Sequence, residues 1–374
     1  MRFDVGGAAT LAIAPGTEPE LARVVSGAFA PYPPRRDLMG PVGVAIEPMP
    51  EAPTFTDIEG AAGDGLATAY DGERAYVLRG RHACVVPDPL RDVPATFAYT
   101  PGFPMHELVR SYVRTAVALV GLRTDAVVVH ASAVSIEGRA VLIGGWSESG
   151  KTETALALAE EGAEFISDKW TIVLADGSVR PFPASVGVRR WVLPYLPKLR
   201  ARLPWAVRVQ LAGATALSLA SRPLRRSFGN PALQEASSGS TRLVEMADRA
   251  AFSVEQVRAA YGTVGDVTKP VPLGIVVLLS TVAPGTRLTA APADPGVVAD
   301  RLARAAAFER RAYFSVTERV RYGGANRDRT DGPTVAGIEE SLLRARIVNV
   351  GVLEIRTPFP SDPRRAVESI LESL

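Results

Sequence analysis

Over the first hundred positions of this 374-residue chain, apolar residues come in short runs cut by glycine and proline. VGVAIEP (42–48), LATAYDGERAYVLRG (66–80) and HACVVPD (82–88) have the length and content of strands, and Asp71-Gly72 is a hairpin signal. Residues 1–104 therefore predict a β-rich N-terminal region packed on the rest of the chain. PMHELVRSYVRTAVALVGL (104–122) then places apolar residues at helical spacing, with proline near its start and glycine near its end. VVVHASAV (127–134) and RAVLIGG (139–145) are apolar, β-branched runs joined by SIEG, which predicts a hairpin. KTETALALAEEG (151–162) predicts a helix closed by Gly162, and AEFISD (163–168) a buried strand.

Beyond that point the pattern loosens. Residues 193–240 fit neither period, with prolines at 194, 197, 204, 223 and 231, many arginines, and ASSGS at 236–240. Such a stretch suits either a lid over a site or a plain surface segment. PLGIVVLLS (272–280) and VGVLEIRTP (350–358) predict strands, and DPGVVADRLARAAAFERRAYF (294–314) one helix. RYGGANRDRTDGPT (321–334) reads as a polar loop. SDPRRAVESILESL predicts a closing helix capped by Ser361 or Asp362, with Pro363 in its first turn.

Composition narrows the class. With 47% hydrophobic and 22% charged residues, the chain can bury a sizeable core. A net charge of +2 gives no argument for nucleic acid. No uncharged apolar run is long enough to cross a bilayer, and the N-terminus lacks the layout of a signal peptide. The single cysteine, Cys84, excludes an internal disulfide framework, so a cytoplasmic protein without membrane partner is expected. Three histidines and one cysteine offer no zinc spacing; His82 and His106 belong to no motif and read as structural. Only four of the 42 basic residues are lysines, at 151, 169, 198 and 269. A lysine here is thus a choice of a compact ammonium over a planar guanidinium.

Two of those lysines lie in or just after the stretch 144–168, which holds the one motif with specific chemistry. Gly145-Trp146-Ser147-Glu148-Ser149-Gly150-Lys151-Thr152 fits G-x-x-x-x-G-K-[ST] without a mismatch, between a predicted strand and a predicted helix. Its backbone N–H groups and the positive end of the helix would cradle phosphates. Lys151 would reach the β- and γ-phosphates, and the Thr152 hydroxyl would take one Mg²⁺ position. Asp168, ending the next strand, is placed to hold Mg²⁺ or to accept a proton from an attacking hydroxyl. Glu153 is explained by the helix dipole alone. Trp146 suits either stacking on a base or covering apolar surface.

GWSESGKTETALALAEEGAEFISD resembles the core of HPr kinase/phosphorylase and its stand-alone relatives, some of which phosphorylate peptide precursors. His130, in VHASAVSIEGRAVLIGG, matches the histidine that family places before the phosphate loop. PFPASVGVRRW (181–191) resembles the next stretch of the stand-alone relatives. The likeness is close over about residues 127–192. It implies a mixed-sheet α/β P-loop kinase core of the phosphoenolpyruvate carboxykinase-like type over residues 105–374, after the β-rich region 1–104. It also implies that Asp168 and His130 are catalytic beside Lys151, with ATP and Mg²⁺ as cofactors. The relatives often assemble, which admits a homo-oligomer.

Lys169 departs from the pattern, standing where the family has a second aspartate. That change of two charge units weakens a two-carboxylate metal site or sets an ammonium against phosphates or an anionic substrate. The expected function is an ATP-dependent kinase that moves the γ-phosphoryl group to a hydroxyl, a Ser or Thr of a protein or peptide first. A small hydroxylated metabolite is the second acceptor class, and a nucleotide-binding scaffold or switch without transfer is the alternative. HPr itself is disfavoured, because the N-terminal domain and further signature of its kinases are missing. Arg189, Arg190 and Arg242 are candidates to neutralise charge on the γ-phosphate.

Overall fold

An eight-stranded sheet occupies the N-terminal part of the chain, from β1 (Arg2–Val5), β2 (Ala9–Ile13), β3 (Val44–Pro48) and β4 (Ile58–Glu59) to β5 (Ala67–Tyr70), β6 (Ala75–Arg79), β7 (His82–Val85) and β8 (Ala95–Tyr99). The strand order is β1-β2-β3-β8-β7-β6-β5-β4, parallel at β2–β3 and β3–β8 and antiparallel elsewhere. Helix α1 (Pro19–Ala28) supplies the crossover that the parallel β2–β3 step requires. The structure is a computed structural model and describes residues 1–51, 53–55, 58–59, 67–205, 207, 209, 249–323 and 328–374.

The helical run after this sheet is continuous but not uniform. It comprises α2 (Met105–Glu107), a wider π-helical stretch Leu108–Val113, α3 (Arg114–Val120) and a 3₁₀ turn to Thr124. Leu108, Val109, Tyr112, Val113, Ala116 and Val117 are buried in one core with Phe3, Leu11 and Phe97 of the sheet. The first sheet therefore shares its core with the rest of the chain. The opposite side of the run carries Arg110 and Arg114.

The second sheet, of nine strands, carries the phosphate-loop sequence. Its path is β12 (Glu164–Ser167), β10 (Ala131–Ile136), β11 (Arg139–Gly145), β17 (Val271–Val282), β14 (Ser178–Pro181), β13 (Thr171–Val173) and β9 (Val127–Val129). β19 (Gly351–Pro358) lies parallel to β17, with β18 (Thr289–Pro292) antiparallel outside it. β11 runs parallel to β17 and antiparallel to β10, so it is covered on both edges, and Ala140–Gly145 are all buried. A separate ribbon pairs β15 (Val186–Arg189) with β16 (Arg249–Phe252). The fold of the described residues is thus α/β with two mixed sheets and no closed barrel.

The helices are α4 (Lys151–Glu160), α5 (Pro197–Ala201), α6 (Val254–Ala260), α7 (Pro295–Glu309), α8 (Arg311–Tyr322), α9 (Gly332–Ile347) and α10 (Arg364–Leu371). α4 is buried on nearly every side between the second sheet, the ribbon and α10. This explains why its small residues show no clear apolar stripe.

Several sequence expectations change. The run 127–134 is two strands, because His130 sits at the break where β9 pairs with β13 and β10 pairs with β11 and β12. Residues 294–314 are not one helix: the chain turns at Arg310, whose guanidinium pairs with Glu339 of α9 in the interior. The polar loop at 321–334 ends in helix α9, which the apolar pattern did not reveal. In the closing helix Pro363 takes the cap position, and Asp362 Oδ1 accepts from the Arg364 N–H.

Candidate phosphate and acceptor site

Strand β11 delivers the chain to the loop, and two glycines make the delivery possible. A Cβ on Gly144 would lie 2.1 Å from Leu302 Cδ2 of α7. At Gly145, φ is +149°, and a Cβ would come within 2.5 Å of both the Leu279 carbonyl oxygen and Ser149 Oγ. The loop then turns through Glu148 at φ +62° and Gly150 at φ +92°. Gly150 is the N-cap of α4 and no side chain caps that end, so the first amides of the helix face the concavity of the loop. Such an end favours anions.

Lys151 folds back inside this concavity. Its Nζ donates to the carbonyl oxygens of Gly145 at 2.9 Å and Trp146 at 2.6 Å. Burial pushes the ammonium down to about 8, against the pull of Asp168, Glu309 and Glu153. Ser149 Oγ is buried beside it without a partner.

Asp168 lies next to the loop, at the end of β12, and is fully buried. Its Oδ1 accepts from Thr152 Oγ1 and from Ser132 Oγ, both at 2.7 Å, and its Oδ2 accepts from the Gly187 N–H at 3.3 Å. Three donors leave roughly one of about four acceptor directions on the carboxylate. No cluster of three His, Cys, Asp or Glu side chains suited to a metal exists among the described residues. Mg²⁺ does not require one, since it commonly binds one or two protein oxygens and completes its shell with phosphate and water. The hydroxyl of Thr152 and the carboxylate of Asp168, already in contact, fit that ion.

His130 lines the cavity over the loop, whereas Asp168 lies buried behind that wall, and the two make no hydrogen bond to each other. Its Nδ1 is buried without a partner, and its ring lies 5.2 Å from that of Trp170. Burial, then the charges of Lys151, Lys169 and Arg310, push the imidazole down to about 2, so it is neutral. A charged imidazolium stabilising a transferring phosphoryl group therefore does not fit the site as it stands.

The cavity over the loop is about 230 Å³. Its walls include residues whose place the sequence did not reveal. Arg249 comes from β16, and its guanidinium packs on Gly187, where a Cβ would fall 1.8 Å from Nε. Arg189, opposite Arg249 in the ribbon, pairs with Glu148 of the loop at 2.6 Å. Arg190 does not line the cavity, and Arg242 lies outside the described residues, as does most of 193–240. Glu153 is buried in the wall, and burial raises its carboxyl, a setting that the dipole argument does not cover. Ser132 also went unnoticed, although its i, i+2 spacing from His130 on extended chain was a signal. Trp146 is half exposed and packs its ring 4.7 Å from Phe308.

Lys169 has φ +66° and makes no hydrogen bond or ion pair among the described residues. It lines the phosphate-loop cavity and also a neighbouring one. A larger cavity of about 550 Å³, walled by Glu47, Asp88, Arg91 and Arg329, shares no residue with the loop. Its Arg329 is occupied by the Val86 and Pro87 carbonyls, and its Asp88 by the Thr330 N–H.

No protein-family model matches this chain, and no curated protein does. Among the described residues, no helix is long and apolar enough to cross a membrane.

Proposed function

We propose that the chain is a P-loop phosphotransferase of the HPr kinase-like type, moving the γ-phosphoryl group of ATP to a hydroxyl. The observation that carries this reading is the contact of Thr152 and Asp168 at 2.7 Å beside a glycine loop whose only lysine points inward. In this reading the loop amides and Lys151 hold the polyphosphate, with Lys151 exchanging its two carbonyl partners for phosphate oxygens. Ser132 and Gly187 orient the Asp168 carboxylate. The acceptor hydroxyl gives its proton to Asp168, and its oxygen forms the new bond to the γ-phosphorus. The bond to the β–γ bridging oxygen breaks, and ADP leaves with that electron pair. Mg²⁺, held through the Thr152 hydroxyl oxygen with phosphate and water completing its shell, would supply neutralising charge on the phosphates and leave the open direction of Asp168 to the acceptor proton. Arg249 adds positive charge to the wall, where Arg189 is paired with Glu148, and neutral His130 has a ring N–H to offer a phosphate oxygen.

The acceptor is a hydroxyl of a peptide, a protein or a small molecule. Segment 193–240, long and arginine-rich enough to clamp an extended peptide, lies mostly outside the described residues. A second reading, nucleotide binding without transfer, draws on Lys169 standing beside Asp168 in place of a carboxylate. Incubation with γ-labelled ATP, Mg²⁺ and a panel of peptide and small hydroxyl acceptors tests the two. Label transfer by the wild type, lost in Asp168→Asn, supports the phosphotransferase. ATP binding with transfer only in Lys169→Asp supports the second reading.

A further inference from the structure

The cavity on the far side of Lys169 has its own chemistry. It measures about 210 Å³ and is walled by Arg110, Arg114, Lys169, Trp170, Glu309 and Arg310 among others. Lys169 and Glu309 belong to both cavities, so the two adjoin.

Its charges do not balance. Arg310 is neutralised by Glu339 in a fully buried pair, and its other nitrogen donates to the Val128 carbonyl. That leaves Arg110, Arg114 and Lys169 facing one carboxylate, Glu309. The guanidinium of Arg114 lies 5.8 Å from the Phe182 ring centre, and its Nη2 is buried with no hydrogen-bond partner. Burial, reinforced by Arg110, pulls this guanidinium down to about 10. A buried donor on a charged group is costly to leave unpaired. Here the donor borders a cavity beside the place where a hydroxyl would meet a phosphoryl donor.

We infer that this cavity is an oxyanion site for the phosphoryl acceptor, in which Arg114, Arg110 and Lys169 bind the carboxylate or phosphate of a small hydroxylated anion. The inference deepens the phosphotransferase reading and rests on it for the word acceptor; the anion site itself does not. A cavity of about 210 Å³ lies below the usual range of about 300–1,000 Å³ for drug-sized ligands, which suits a compact acid or phosphate ester. Guanidinium forks pair with carboxylate and phosphate through two parallel hydrogen bonds, and the Lys169 ammonium bridges toward the loop. Held there by its anionic end, a short molecule would turn its hydroxyl toward Asp168.

The test uses the full chain and three matched probes: glycerate, glycerol 3-phosphate and glycerol. Each is titrated by calorimetry, with Trp170 fluorescence as a local reporter, into wild type, Arg114→Gln and Arg110→Gln. Arg110 is exposed, so its variant keeps the test valid should Arg114→Gln fail to fold. A Lys151→Met arm separates phosphate bound in the loop from phosphate bound here. Expected is binding of at least one anion but not of glycerol, weakened about tenfold or more in both arginine variants while ATP binding is unchanged. Preference for glycerate identifies a carboxylate acceptor, and preference for glycerol 3-phosphate a phosphate ester. Equal binding by the arginine variants and the wild type, or binding of neither anion, overturns the inference. Arginine-dependent anion binding by a wild type that leaves ATP unbound overturns the phosphotransferase reading and leaves the oxyanion site standing.

Discussion

Thr152, on helix α4, and Asp168, directly after strand β12, are sixteen residues apart and share a 2.7 Å hydrogen bond. The link joins the phosphate loop to the one carboxylate that Ser132 and Gly187 also hold. Asp168→Asn keeps the shape of the side chain but removes its charge and basicity. Expected is a fall in phosphoryl transfer of about 10²–10⁴, the usual contribution of a positioned base, with ATP binding retained. Steady-state rates beside equilibrium titrations check both halves. A loss of binding with the rate per bound nucleotide unchanged would refute the role.

Lys151 gives a pH signature. Its ammonium titrates at about 8 in the free protein because burial outweighs the nearby carboxylates, against an ordinary value of 10.5. A bound polyphosphate adds negative charge and holds the proton on. Between pH 8 and 10.5, nucleotide binding is therefore expected to take up a proton, and affinity to fall as pH rises. Calorimetry at pH 8.5 in buffers of different ionisation enthalpy reads the uptake directly.

His130 is expected to stay neutral across ordinary pH. Its imidazole lies at about 2, first through burial, while the unfolded value is near 6.5. The folded-state value is the lower, so between those limits the unfolded chain binds more protons and stability falls as pH drops below about 6.5. His130→Gln should lessen that acid sensitivity, read as the change in denaturation midpoint between pH 7 and pH 5. An imidazole resonance titrating near 6.5 in the folded protein would contradict the assignment.

Packing at the root of the loop can be tested apart from catalysis. Gly144→Ala drives a methyl group into Leu302, whose Cδ2 is 2.1 Å from the ideal Cβ position. A cost of about 1–3 kcal/mol is expected for such overpacking. Gly144→Ala with Leu302→Ala should be less destabilising than the sum of the two single changes, measured by denaturant unfolding. Additive costs would show that the contact is relieved by backbone movement instead.

The buried pair of Arg310 and Glu339 fixes the bend between α7 and α8 and ties it to α9. Arg310→Met leaves Glu339 uncompensated in the interior and is expected to cost about 3–5 kcal/mol. Adding Glu339→Leu should recover most of that loss, checked by the same unfolding measurements.

The glycine loop Gly145–Thr152 was legible in the sequence because it is local: eight consecutive residues between an apolar strand and a helix. Asp168 was legible because it ends the next apolar run. What escaped depends on pairing between distant residues. Arg249 enters the cavity only through its pairing with Arg189, sixty residues away. Arg310 bends a helix that the apolar period alone draws straight, because its buried partner belongs to α9. That helix was missed although its start signals are present: Asp331 caps it by accepting from the Thr334 N–H, and Pro333 sits in its first turn. The cation cluster beside Lys169 could not be read, since Arg110 and Arg114 reach it from a helix that packs on the first sheet.

Equilibrium titration of ATP with Mg²⁺ into the wild type and Lys151→Met is the most direct test of the nucleotide site. Expected is saturable binding by the wild type, weakened at least about tenfold when the Lys151 ammonium is removed. A wild type that leaves ATP unbound, or a variant that binds it equally well, would contradict the assignment of the loop.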